Sequence, residues 1–104
     1  MGKIKEFFWK RKWRDRELKK LLDIYWKTEI DYKSQNEIRV QQQDALDRLK
    51  SMFEAVRGNP KEEWQIRRKI QEQEKEFKKT YELLEKIQQK QEQIGRLIKK
   101  IKEF

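Results

Sequence analysis

A chain of 104 residues with 28 Lys and Arg, 19 Asp and Glu and no His carries a formal charge of +9, and 45% of it is charged against 35% hydrophobic. One domain at most fits that length, and so thin an apolar fraction excludes a large single core. Without Cys there is no disulfide framework, thiolate nucleophile or zinc knuckle, and without His the commonest general base and metal ligand are missing.

The N-terminus has no uninterrupted apolar stretch of the secretory kind. Met1-Gly2 is followed by Glu6 where a myristoylation signal requires Ser or Thr. No apolar run approaches the roughly 20 residues that span a bilayer. These features lead us to expect a cytoplasmic protein.

Residues 3–57 contain no proline and read as a first helix. At 100° per residue, Ile4, Phe7, Phe8, Leu18, Leu22 and Tyr25 form one stripe, the expected core face. Leu18, Leu21, Leu22 and Tyr25 make one apolar patch, and Leu46, Leu49, Phe53 and Val56 make another. The polar stretch between them holds Ser34, Gln35, Gln41, Gln42 and Gln43. Ser34-x-x-Glu37 matches a capping box, so a kink or a new helix start near residue 34 is an alternative to one continuous helix.

Gly58-Asn59-Pro60 is the strong break. A glycine able to turn left-handed ends one helix, and the only proline suits the first turn of the next. So short a connection at 58–60 requires an antiparallel αα-hairpin.

Residues 61–103 show the cleaner repeat. Ile70, Phe77, Leu84, Gln91 and Ile98 share one heptad position, while Ile66, Gln73, Thr80, Ile87, Ile94 and Ile101 share the other. This alternation of three and four is coiled-coil spacing. At 1.5 Å per residue the helix is roughly 65 Å long. Pairing about the turn sets Phe53 by Ile66, Leu49 by Ile70, Leu46 by Gln73, Gln42 by Phe77, Thr28 by Gln91 and Leu21 by Ile98, residue numbers totalling about 119. We expect the seam glutamines to reach solvent at the wet edges of a two-helix interface.

The fold class is therefore all-α: an elongated antiparallel helical hairpin, coiled-coil-like, spanning residues 1–104 as a single helical domain. Two helices hide little apolar surface, so dimerisation is expected to complete a bundle.

Charge points to function. Residues 1–20 hold nine basic and three acidic residues, and the C-terminal end adds Arg96, Lys99, Lys100 and Lys102. A hairpin brings both termini to one basic pole, which attracts phosphates, anionic lipid heads or acidic protein surfaces. Trp9 and Trp13 fall opposite the core stripe, flanked by Lys5, Lys12, Arg16 and Lys20. Large exposed aromatics beside cations mark a contact surface.

Catalysis is not expected. Ser34, Ser51, Thr28 and Thr80 are the only hydroxyl residues besides the tyrosines, no base stands ready to activate them, and no Gly-rich phosphate loop exists. Asp44 and Asp47 share a helix face, but carboxylate sites in bundles also use Glu-x-x-His. We expect no cofactor and no metal. The reading is a non-catalytic interaction or regulatory module that binds a partner protein, with an acidic surface, through Trp9, Lys10, Arg11, Lys12, Trp13, Arg14 and Arg16. Nucleic-acid binding by the basic pole is the alternative, although no nucleic-acid-binding signature is present. Peripheral membrane attachment comes after it, because the apolar residues of 3–14 surround the helix instead of forming one face.

Overall fold

The computed structural model of the protein describes residues 2–103, with side chains from residue 9 to residue 103. Ile4, Lys5, Phe7 and Phe8, assigned above to the core stripe and its basic flank, lie outside the described side chains. Two helices make up the fold: α1 (Gly2–Ala55) and α2 (Pro60–Glu103). There is no strand among the described residues. Helix α1 continues through Ser34 without interruption, so the capping-box match there starts no new helix. Ser34 is simply an exposed residue inside α1, because neighbouring turns already satisfy the backbone N–H groups that a cap would serve.

The turn follows from its residues. Gly58 adopts φ 100°, a conformation that costs a residue with a Cβ. Asn59 caps α2: its Oδ1 accepts from the Glu62 N–H at 3.5 Å. Glu63 reaches back, its Oε1 accepting from the Gly58 N–H at 2.8 Å. Pro60 occupies the first helical position, where a missing N–H costs nothing. Glu62 and Glu63 in the first turn of α2 and Lys100 and Lys102 in the last complement the helix dipole. Helix α1 stops at Ala55, two residues before the expected 57, because the backbone tightens: the Arg57 N–H bonds to Glu54 O, a three-residue step.

On α2 the shielded residues are those of the expected repeat, with Glu63 extending it at the turn. Helix α1 shows the same period. Calling the two inward positions a and d, its a positions run Leu18, Tyr25, Tyr32, Arg39, Leu46 and Phe53. Its d positions run Arg14, Leu21, Thr28, Gln35, Gln42, Leu49 and Val56, and every one of these thirteen residues is buried or half-buried.

The chain divides into two compact units. Residues 33–86 form the turn unit. Its buried residues are Leu46, Ile66, Leu84 and Thr80, flanked by half-buried Leu49, Phe53, Ile70 and Phe77. The Arg67 guanidinium covers the Phe53 ring at 5.6 Å, which shields the open side of the seam. Thr80 turns its hydroxyl onto its own helix, donating to Glu76 O at 3.2 Å, and so is buried without an orphan donor.

Residues 1–32 and 87–104 form the terminal unit. Thr28 and Ile94 are buried, with Leu18, Leu21, Tyr25 and Ile98 around them half-buried. The Thr28 hydroxyl donates to Tyr25 O at 2.6 Å. Two bonds cross between the helices here. Gln91 Nε2 donates to Glu29 Oε1 at 2.9 Å, and Gln88 Nε2 donates to Tyr32 Oη at 3.3 Å.

Both cross-helix bonds, and the Arg67–Phe53 contact of the turn unit, join residues whose numbers total 120, against about 119 expected. Two expectations need correction. Gln35, Gln42, Gln73 and Gln91 are half-buried in the seam, and two of them do not simply reach solvent: Gln42, whose Oε1 is buried with no partner among the described residues, and Gln91, which bonds to Glu29. The amide is short enough to lie across the interface, where Glu29 offers Gln91 an acceptor. Leu22, placed on the core stripe, is 47% exposed, and Leu21 takes the seam position. A straight wheel at 3.6 residues per turn drifts from a 3.5-residue seam by about 20° per heptad, enough to exchange neighbours over three heptads.

Candidate interaction surface

The terminal unit holds most of the charge. Its residues include 15 Lys and Arg against 8 Asp and Glu, net +7, whereas the turn unit has 13 against 11, net +2. The unit also holds three of the four tryptophans, Trp9, Trp13 and Trp26. The concentration follows from topology, because a hairpin gathers both basic ends of the chain into one unit.

On α1, Trp9 is 71% exposed and Trp13 44%. In the seam's frame Trp9 stands at outward position f and Trp13 at outward position c, one turn on. Trp9, Arg11, Lys12, Asp15 and Arg16 line an open hollow of about 600 Å³. The expected site thus separates into parts. Trp9, Arg11, Lys12 and Arg16 are brought together, and Asp15 joins them. Lys10 and Trp13 are exposed but do not line the hollow. Arg14 is half-buried at a d position, on the side that faces α2.

The cations stand in strong local excess. Every ion pair between described residues joins residues three or four apart in the chain, and only Lys20–Glu17, at 3.5 Å, lies in the terminal unit. Lys12, Arg16 and Lys19 form no ion pair with another described residue. Their charge is available to a ligand instead of being neutralised in place.

Sequence reasoning missed Trp26 and Ile30, which are 66% and 65% exposed on α1. The signal was present as apolar residues at b and f, positions that a 3.6-residue wheel blurs across a long helix. Among the described residues no group of three or more acidic side chains converges as a metal site; Asp47 Oδ1 accepts instead from Gln43 Nε2 at 3.1 Å. No described helix is long and apolar enough to cross a membrane. Comparison with family models, curated proteins and solved structures finds no match for this chain, so its function must be argued from its own residues.

Proposed function

We propose that the protein is a non-catalytic interaction module that binds an acidic surface of a partner protein, in the cytoplasm, through the N-terminal turns of α1. The observation that carries this reading is the pairing of Trp9, an exposed aromatic, with Arg11, Lys12 and Arg16 around one open hollow. Aromatic and Arg side chains are the usual anchors of protein interfaces. Lys10 and Trp13 extend the surface, while Arg14 is half-buried at a seam position.

The module acts as a homodimer in this reading. Only four hydrophobic residues are buried, whereas thirteen large ones are exposed among the described residues. In two antiparallel helices the g positions line one edge of the seam. In the turn unit Ile38 and Leu83 both occupy g, and in the terminal unit Ile24 and Leu97 do so, all exposed. A second copy covering this edge removes apolar surface from water.

The test compares the wild type with Trp9→Ala/Trp13→Ala and with Lys10→Gln/Arg11→Gln/Lys12→Gln in capture from a lysate of the source cell and in retention on DNA. Loss of a captured protein in both variants, with helicity intact, supports the reading. Retention on DNA that collapses by orders of magnitude between low and physiological salt, without dependence on the tryptophans, would move the function to phosphate contacts.

A further inference from the structure

Helix α1 carries a second heptad stripe on the face turned away from α2. Trp9, Lys12, Arg16, Lys19, Asp23, Trp26 and Ile30 are spaced alternately by three and four residues at positions f and b, and all are exposed. The whole stripe lies within the terminal unit. Its order is specific: tryptophan at one end, Trp26 and Ile30 at the other, and three cations and Asp23 between. Trp13 stands one turn from Trp9, as Ile30 stands one turn from Trp26, so each end carries an apolar pair. The two pairs are separated by seventeen residues, about 25 Å along a helix.

We infer that this outward stripe is the docking face for an acidic amphipathic helix of a partner protein. The inference rests on the interaction-module reading above and names the partner's chemistry. A stripe spaced at three and four residues presents side chains at the interval a second helix matches, turn for turn. The apolar pairs take hydrophobic anchors near the two ends of the incoming helix. Lys12, Arg16 and Lys19 take carboxylates in its central turns, and these cations form no ion pair with another described residue. A second copy of this chain fits less well. Residues 9–30 hold eight basic and four acidic residues, so self-pairing sets one net positive face against another, with Lys19 close to its own counterpart. Nucleic acid would leave Ile30 without a role.

The probe is a synthetic helical peptide of about 25 residues, long enough to span both apolar pairs, with Leu at each end and Glu in its central turns. Binding to the full chain is read by fluorescence anisotropy, beside a charge-reversed peptide and a DNA duplex. The acidic peptide should bind and the charge-reversed peptide should not. Trp26→Ala/Ile30→Ala should weaken binding at least about tenfold through faster dissociation. Lys12→Gln/Arg16→Gln/Lys19→Gln should slow association and flatten its salt dependence. All these residues are exposed, so the helical circular dichroism should be unchanged. If Trp26→Ala/Ile30→Ala binds like wild type while Trp9→Ala/Trp13→Ala does not, the stripe is overturned and the module reading stands. If every variant binds like wild type, both fall. The inference is also overturned by binding of the duplex in preference to the peptide, by binding of neither, or by Trp26→Ala/Ile30→Ala halving the mass in light scattering, which would make the stripe a self-contact.

Discussion

Leu84 shows how much one side chain contributes to so thin a core. It is 6% exposed in the turn unit and sits at the inward position that the 3–4 repeat assigns to it. Leu84→Ala removes most of its packing and should cost about 2–5 kcal/mol, towards the lower figure because the seam is open to water on its flanks. Leu84→Asp should unfold the hairpin, since it sets a charge on the apolar seam. Lys86→Asp, two residues on and exposed, should change stability by no more than about 0.5 kcal/mol. Urea unfolding followed by helical ellipticity orders the three. Equal losses at Leu84 and Lys86 would remove the seam from the account. Gln91 is the complementary case. Its bond to Glu29 crosses the helices, so Gln91→Leu exchanges a hydrogen bond for apolar contact and leaves the Glu29 carboxylate without that donor.

Glycine separates a turn position from a helical one. Gly58 holds φ 100° in the turn, where a Cβ is strained whatever the space around it. Gly58→Ala should therefore destabilise by about 1–2 kcal/mol. Gly95 lies inside α2 with nothing within 4 Å of the place a Cβ would occupy. Gly95→Ala should raise stability by about 0.5–1 kcal/mol, because alanine loses less backbone freedom on forming a helix. Opposite shifts of the urea midpoint in the two variants are the expected result; the same sign in both would contradict the assigned turn or the assigned helix. The α1 end was also the element boundary least legible in the sequence. Val56 and Arg57 are compatible with a helix by composition, and only the tightened bond from Arg57 to Glu54 shows that the helix has ended.

For the whole molecule, the imbalance between four buried and thirteen exposed large hydrophobics drives the expectation of a dimer. Light scattering should report about twice the 13.1 kDa chain mass. Ile38→Glu/Leu83→Glu, at the exposed g edge of the turn unit, should return a folded monomer. A dimer unaffected by that pair would place the contact on another face, and a wild-type monomer at high concentration would remove it.

Composition, period and the Gly58-Asn59-Pro60 turn were enough for an all-α hairpin, for the α2 seam and for its register to within one residue. These are local or periodic properties, and the heptad of α2 is written mainly in isoleucine, leucine and phenylalanine, with Gln73, Thr80 and Gln91 among them. The α1 seam was readable only in part: the pairing about the turn named Leu21, Thr28, Gln42, Leu46, Leu49 and Phe53, but not Arg14, Gln35 or Arg39. Arg14, Thr28, Gln35, Arg39 and Gln42 occupy inward positions, while Trp9, Trp26 and Ile30 occupy outward ones. Two stripes of equal spacing therefore run along one helix, and hydrophobicity does not single out the inward one. Packing against α2 decides between them. Burying the stripe of Leu18, Leu21 and Tyr25 meets a complementary apolar partner in Ile94 and Ile98, and it turns Trp9 and the cations outward. Which face of α1 is inside is a property of the pair of helices, and no single helix carries it.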